Sequence, residues 1–170
     1  MPVQRLKSML NPKAIVVVGG SDRPGTVGRV VLRNLQAQGF GGSIHAVNPK
    51  AVAMEGVTWA ADLKDLPSDI DLAIVATPSP TVPGVIAELG ERGVQVAIVL
   101  SGGITAKNGY RDAMLEAAKP SGLRIVGPNG LGVLAPHGQL NASGARGGAL
   151  PGRLAFISQS GALVSSALAW

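Results

Sequence analysis

Residues 14–28 read AIVVVGGSDRPGTVG, and this stretch decides the fold. It opens with five apolar residues, four of them β-branched, a run typical of a parallel strand buried on both faces. Glycines then form a turn, and the turn enters a segment whose apolar residues recur at helical spacing: Val27, Val30, Val31 and Leu35. A strand that passes through a glycine-rich turn into a helix is the first unit of a parallel α/β sheet.

The same alternation continues along the chain. More apolar runs have the composition and flanking turn residues of buried strands, at 44–47, 72–76, 94–100 and 124–126. Helical spacing appears at 82–89 and at 110–117, and a short amphipathic stretch at 3–10 precedes the first strand. We therefore expect an α/β fold, a doubly wound parallel sheet with right-handed crossovers.

Composition excludes several classes of protein. With 46% apolar residues among 170, the chain can bury a core and is not a disordered tail. It has no cysteine and two histidines, His45 and His137, so we expect neither a disulfide nor a metal site. No apolar run reaches the ~18–20 residues of a membrane span, and the amino terminus lacks the apolar core of a signal peptide. We therefore expect a cytoplasmic protein that makes no membrane contact.

The net charge of +5 indicates an anionic partner. Nucleic acid is a poor candidate, because the 15 Lys and Arg residues are scattered singly and five aromatic residues are too few for a base-stacking platform. A smaller polyanion fits the charge better.

The character of the chain changes after residue 142. Residues 143–152, SGARGGALPG, are small and flexible, which is typical of a linker. A strand is predicted at 153–158, and a helix begins at 161 and reaches residue 170 without a C-cap signal. A strand and half a helix cannot bury a core. We therefore expect a first domain at 1–142 and the truncated start of a second at 153–170, in the front part of a longer polypeptide.

Ligands of a doubly wound sheet bind outside the carboxyl ends of the strands, so the turns after the strands are the places to search. The first turn, residues 19–28, enters a helix, and its backbone N–H groups together with the helix dipole form an anion site. It is longer than the dinucleotide fingerprint GxGxxG and contains Arg23. A plain glycine-containing turn is the alternative interpretation.

The second turn bears on the identity of the ligand. NAD-binding domains place Asp or Glu at the end of the second strand, on the ribose 2′-hydroxyl. This strand instead ends in Asn48, Pro49 and Lys50, a neutral amide followed by a cation. A lysine there attracts a phosphate carried on the ribose, which favours NADP or coenzyme A over NAD. The alternative is that Lys50 is an ordinary solvated lysine.

The remaining three turns are rich in small residues and proline. The third, residues 76–80, is a stiff wall that an adenine or a pantetheine arm can lie against, and equally a helix N-terminus capped by Ser79 or Thr81. The fourth, residues 101–105, lets a ligand approach the backbone closely, and the fifth, residues 127–132, is rigid and carries one amide. We expect these turns to meet at one edge of the sheet.

Six segments resemble, in order, the coenzyme A-binding domain of the nucleoside-diphosphate-forming acyl-CoA synthetases: LNPKAIVVVGGSDRPGTVG, AVNPK, ATPSP, VLSGGIT, RIVGPNGLGVLAP and GRLAFISQSGAL. That superfamily includes the succinyl-CoA synthetase α chain and the ADP-forming acetate–CoA ligases. The run LNAS at 140–143 resembles in particular the bacterial proteins that fuse this region to a GNAT protein-lysine acetyltransferase. The resemblance implies a Rossmann-like domain that binds coenzyme A or acetyl-CoA, followed by the start of a flavodoxin-like domain. It further implies that this chain is a module of a larger enzyme and that the module has no activity by itself.

The resemblance also assigns residues, though no catalytic residue and no metal ligand. It places coenzyme A at Gly20, Ser21, Asp22, Arg23, Pro24, Gly25, Thr26, Lys50, Thr77, Pro78, Ser101, Gly102, Gly103 and Asn129. Ser160 and Gly161 match a turn that receives the phosphate of a phosphohistidine in full ligases, but neither histidine of this chain stands in the family's histidine motif. Asp22 is an awkward charge in a phosphate turn unless its side chain caps the following helix.

Two other functions compete with this interpretation. An NADP-dependent oxidoreductase domain would need a catalytic partner for Tyr110, and a ligand-sensing module would carry out no chemistry.

The apolar side chains of 153–170 would lack the second-domain sheet that covers them. The tail can then dock on the first domain, pair with another copy of the chain or remain disordered, and of these we expect self-association, because the apolar side chains are too many to stay in water.

Overall fold

The computed structural model describes residues 3–50 and 53–170. Six strands form the main sheet: β1 (Ala14–Val18), β2 (Ser43–Val47), β3 (Thr58–Ala60), β4 (Leu72–Val75), β5 (Val96–Val99) and β6 (Arg124–Val126). Their order is β3-β2-β1-β4-β5-β6, and every neighbouring pair is parallel. The flanking helices are α1 (Val3–Leu10), α2 (Val27–Ala37), α3 (Val82–Glu91) and α4 (Tyr110–Ala118). The expected doubly wound parallel sheet is confirmed.

Side chains of the central strands alternate between two apolar layers. Val16 and Val18 of β1 belong to the layer that contains the buried faces of α3 and α4. Ile15 and Val17 belong to the opposite layer, which contains the buried face of α2. Since both faces of the strand are covered, no polar alternation is possible, and this is why the strand is a continuous apolar run in the sequence.

The helices bury nearly the faces that their spacing predicts. In α3, Val82, Ile86 and Leu89 are buried as expected. In α2 the buried face is Gly28, Val31, Leu32 and Leu35, whereas Val27 at the first helical position is 48% exposed. Val27 therefore belongs to the helix, as its spacing predicts, but not to the buried face of that helix.

Two strands that the sequence did not indicate form an antiparallel hairpin, β7 (Gly132–Ala135) and β8 (Leu140–Ser143). The hairpin packs on α2 with Leu140 and Ala142 fully buried. The chain continues along α2 after β8, since Asn34 Nδ2 donates to the carbonyl oxygens of Ser143 and Ala145, each at 2.9 Å. The first residues of the predicted linker are thus anchored to the first domain, while the domain boundaries themselves stay a prediction.

The tail is not built as the sequence indicated. No strand forms at 153–158, because no neighbouring strand within the described residues is available to pair with it. The helix does form, as α5 (Gly161–Ala169). Large apolar side chains remain in solvent along this segment, among them Leu154 at 99% and Ile157 at 96% exposure.

One further feature, a groove, lies away from the carboxyl ends of the strands. An apolar groove of about 760 Å³ runs beside the β6 edge, between α1 and α4, and includes Leu6, Leu115 and Ile125. Across the described ranges, 3–50 and 53–170, no helix has the length and apolarity that crossing a bilayer requires.

Candidate functional site

The strand order reverses between β1 and β4, and the turns that follow these two strands meet there. Gly19 has φ +87°, and a Cβ on it would lie 2.8 Å from the carbonyl oxygen of Ala76 and 3.1 Å from Cγ2 of Thr77. Only a glycine in this conformation lets the two turns approach so closely. Ligands of open α/β sheets bind at such a reversal point, so this crevice is the candidate site.

The first turn is a folded loop that ends on the N-terminus of α2. Ser21 Oγ accepts a hydrogen bond from the N–H of Arg23 at 3.1 Å, and Thr26 Oγ1 donates to the carbonyl of Arg23 at 2.8 Å. In the described part of the chain, the N–H groups of Ser21, Asp22 and Gly25 have no partner. These free donors, with the positive end of the α2 dipole, can bind an anion.

Arg29 of α2 was not singled out by the sequence, yet it belongs to this loop. Its Nη1 donates to the carbonyl oxygen of Asp22, which holds the guanidinium against the turn. Asp22 itself is exposed, and the N-cap of α2 is Thr26, whose side chain makes no capping hydrogen bond. Asp22 therefore does not cap α2, and it remains an unusual charge in this turn.

The second turn is fastened to the first by Asn48. Its Nδ2 donates to the carbonyl of Gly20 at 2.6 Å, and its Oδ1 accepts from the N–H of Lys50 at 2.9 Å. Lys50 is exposed, so its ammonium is available to a ligand at the carboxyl edge of β2. No carboxylate stands at the end of this strand. The sequence missed the role of Asn48 because its partner Gly20 lies 28 residues away.

The third and fourth turns are joined through a buried hydroxyl. Ser101 is 8% exposed, and its Oγ donates to the carbonyl of Thr77 at 2.6 Å. The hydroxyl of Ser101 is thus used inside the protein. Thr77 Oγ1 is buried and has no partner among the described atoms, while Pro78 is exposed beside it. The hydroxyl of Thr81 donates to the carbonyl of Pro78 at 2.8 Å instead of capping α3.

The fifth turn closes against the fourth. The Gly127–Pro128 peptide is cis, and Asn129 has φ +57°. The N–H of Asn129 donates to the carbonyl of Ser101 at 3.0 Å, and a Cβ at Gly102 would lie 3.1 Å from Asn129 Oδ1. Gly103 is held open by Asn108, whose Nδ2 donates to its carbonyl at 2.6 Å. All five turns therefore meet at one edge, as the sequence predicts.

Ser160 and Gly161 lie beside the fifth turn. Ser160 is the N-cap of α5, and its Oγ accepts from the N–H of Leu163 at 3.3 Å. A Cβ at Gly161 would lie 3.8 Å from Cβ of Leu131. The N-terminus of α5 thus lies next to the fifth turn, although the apolar face of the helix is largely exposed.

The histidines lie outside the site. His45 is buried in β2, its Nδ1 has no partner among the described atoms, and desolvation lowers its pKa although the charge of Asp69 acts to raise it. His137 is exposed near the hairpin, with its Nε2 at 2.9 Å from the carbonyl oxygen of Gly152. Nowhere in 3–50 or 53–170 do three or more His, Cys, Asp or Glu side chains gather as a metal would need.

Comparison with known proteins agrees with this geometry. Residues 13–136 match the family described as CoA binding domain. The chain is 35% identical to the α subunit of ADP-forming acetate–CoA ligase I of Pyrococcus furiosus, over 97% of this chain and 37% of that subunit. It is also 35% identical to the ADP-forming acetate–CoA ligase of Methanocaldococcus jannaschii, over 96% of this chain and 23% of that protein.

Structural similarity is equally clear. The structure superposes with a TM-score of 0.88 and 36% identity on a Ca. Korarchaeum cryptofilum protein described as a dinucleotide-forming acetyl-coenzyme A synthetase 1 in complex with phosphate and ADP. The match covers 98% of this chain and 36% of that one. The chain thus spans roughly a quarter to two-fifths of the length of these relatives.

These relatives are ligases and synthetases, so the narrower likeness to GNAT fusion proteins stays a prediction. The family match covers 124 residues, 13–136, and includes β1 through β6 together with all five turns. By its sequence, its strand order and its edge of converging turns, the chain belongs to the CoA binding domain family.

Proposed function

We propose that this chain binds coenzyme A or acetyl-CoA at the carboxyl edge of its sheet, as the coenzyme-binding module of a larger acyl-CoA synthetase. The observation that carries the proposal is the second turn. Where a NAD-binding domain has a carboxylate, this chain has Lys50. Asn48 connects Lys50 by hydrogen bonds to the first turn, residues 19–28, which we call the phosphate turn. A ribose that carries a phosphate suits a cation at this position, and a free ribose diol does not need one.

The first turn provides for the pyrophosphate. The free N–H groups of Ser21, Asp22 and Gly25 lie in the same loop as Arg23. The unpaired N–H groups at the start of α2 are further donors. Gly20, Pro24 and Thr26 shape the loop. Each charge-assisted contact to a phosphate oxygen contributes on the order of 1.5–3 kcal/mol when it is partly desolvated.

The later turns suit the pantetheine arm. Pro78 presents a flat exposed surface, and the glycines 102 and 103 leave the backbone open opposite it. Thr77 Oγ1, buried without a protein partner, can hydrogen-bond to an amide of the ligand. The side chain of Asn129 lies directly against Gly102, since a Cβ at Gly102 would be 3.1 Å from Asn129 Oδ1, and its amide is therefore placed to contact a ligand beside the fourth turn.

The role of the larger enzyme follows the same logic. The N-terminus of α5, with Ser160 and Gly161, offers donors to a phosphate that would arrive from residues this chain does not contain. The family resemblance assigns no catalytic role to any residue of this site, so we place catalysis in the remainder of the parent protein. We place that protein in the cytoplasm, without a resident metal in this module and without a nucleic-acid or membrane partner.

Isothermal titration calorimetry of the chain with coenzyme A and with NAD tests the proposal. We expect binding of coenzyme A in clear preference to NAD. The double variant Lys50→Glu, Arg23→Ala should lose that binding, because two phosphate contacts disappear. Lys7→Glu, Arg33→Ala makes the same change in net charge at exposed positions on α1 and α2, and it should bind as the wild type does. Equal affinity for NAD, or retained binding in the first double variant, would contradict the proposal.

A further inference from the structure

We propose that Asn48 is a positioning residue that sets the preference for a ribose 3′-phosphate by locking the Lys50 turn to the phosphate turn. The inference rests on the proposed function and extends it to a residue that the family resemblance does not assign. Asn48 itself need not touch the ligand. It acts through the two turns that do.

The amide of Asn48 is used at both ends, and each end has one chemically allowed partner. Nδ2 is a donor and faces the carbonyl oxygen of Gly20 at 2.6 Å, while Oδ1 is an acceptor and faces the N–H of Lys50 at 2.9 Å. The backbone N–H of Asn48 is fixed as well, since it donates to the carbonyl of Ala60 at 3.1 Å. An aspartate could replace only one of the two side-chain bonds, because a carboxylate repels the carbonyl of Gly20.

The bond to Lys50 is a local Asx turn, from residue i to residue i+2, which sets the direction in which the chain leaves β2. The bond to Gly20 joins the turn after β2 to the turn after β1, and it fixes the distance between the Lys50 turn and the phosphate turn. Together the two bonds fix the backbone position from which the Lys50 side chain extends toward the ligand. A four-carbon side chain on an untethered turn samples many positions, so its contact with a phosphate is weakened by entropy.

The rest of the phosphate turn does not depend on Asn48. Thr26 Oγ1 holds the carbonyl of Arg23, and Arg29 holds the carbonyl of Asp22. Loss of the Asn48 amide should therefore leave the pyrophosphate contacts largely in place and release only the Lys50 turn. This separation predicts a loss of selectivity, whereas a residue needed only for folding would weaken the binding of every ligand alike.

The test compares coenzyme A with dephospho-coenzyme A, which differ only in the 3′-phosphate, by calorimetry on the full chain. We expect the wild type to prefer coenzyme A by about tenfold, the effect of one charge-assisted contact. Lys50→Ala and Asn48→Ala should each bring the two affinities to within about threefold of one another, and the double variant should go no further, because both changes remove the same contact. Gln95→Ala, which removes an exposed amide elsewhere, should keep the wild-type ratio.

The outcomes separate the two claims. If the wild type binds neither ligand, the proposed function itself fails. If it prefers coenzyme A and Asn48→Ala keeps that preference, or weakens both ligands equally, the positioning role is overturned while the proposed function stands. Should Asn48→Ala not fold by circular dichroism, Asn48→Ser is measured instead; it retains a short polar group but cannot bridge both partners, so the same loss of selectivity is expected.

Discussion

Gly28→Ala is a substitution whose effect on both the fold and the candidate site follows directly from the structure. Gly28 is the second residue of α2, and it packs directly on the turn that follows β1. A Cβ added there would lie closer than 3.0 Å to the carbonyl oxygen of Gly19, 3.0 Å from its carbonyl carbon and 3.1 Å from Cα of Gly20. All three atoms are backbone, so no side chain can move aside to relieve the overlap.

The magnitude follows from the distances. Non-bonded carbon atoms are comfortable at about 3.5–4.0 Å, so α2 and the first turn must separate by several tenths of an ångström or more. Overpacking costs roughly 1–3 kcal/mol and occasionally more. Because all three contacts are with backbone atoms, we expect a cost at the upper end of this range, which exceeds the ~1 kcal/mol that alanine gains over glycine in a helix. For a chain of this size, each kcal/mol lowers the melting temperature by about 2–4 °C. We expect a fall of several degrees, and at least about tenfold weaker binding of coenzyme A as the free N–H groups of the turn are displaced.

Thermal unfolding followed by circular dichroism measures the first effect, and calorimetry measures the second. Gly84→Ala is the matched control, since Gly84 also lies in the first turn of a helix but a Cβ there meets nothing within 4 Å. It should leave coenzyme A affinity unchanged and leave the melting temperature equal or slightly higher. A Gly28→Ala protein with the melting temperature and affinity of the wild type would show that the contact between α2 and the turn is unimportant.

Three further outcomes are expected. The isolated chain should show no ATP-dependent acyl-CoA synthesis and no acetyl transfer, because it lacks a phosphohistidine motif, and any turnover by the purified chain in a coupled assay would refute this. The exposed apolar side chains of 153–170 should drive self-association, so light scattering should give a larger mass for the full chain than for a version ending at Leu150; two monomers of equal solubility would contradict it. Because desolvation lowers the pKa of His45 in the fold, its neutral form contributes stability that is present above the unfolded value of 6.5 and is lost as pH falls through the folded value. The free energy of unfolding by urea should therefore drop below pH 6.5 less steeply in a His45→Gln variant, and parallel curves would rule His45 out as the cause.

The sheet and most of its helices could be predicted because their signals are local and consistent. β1 is a run of five apolar residues, four of them β-branched, which is typical of a strand covered on both faces, and the turn after it leads directly into α2. The position of the candidate site, at the carboxyl edge, was predicted from this topology alone. The hairpin β7–β8 escaped detection because its strands are short and its burial comes from packing on α2, which no periodicity announces.

The sequence by itself determined the fold class and predicted the edge of the sheet that carries the candidate site, since both depend on residue type and on short-range spacing. Tertiary structure alone decided which side chains cooperate there. Asn48 reaches Gly20, Ser101 reaches Thr77, and Asn34 anchors the predicted linker, all through contacts between residues more than twenty positions apart. The tail is also decided by tertiary structure. Its apolar pattern predicts a strand at 153–158, but a strand forms only where a neighbouring strand can share backbone hydrogen bonds. No such neighbour is available in the described part of this chain.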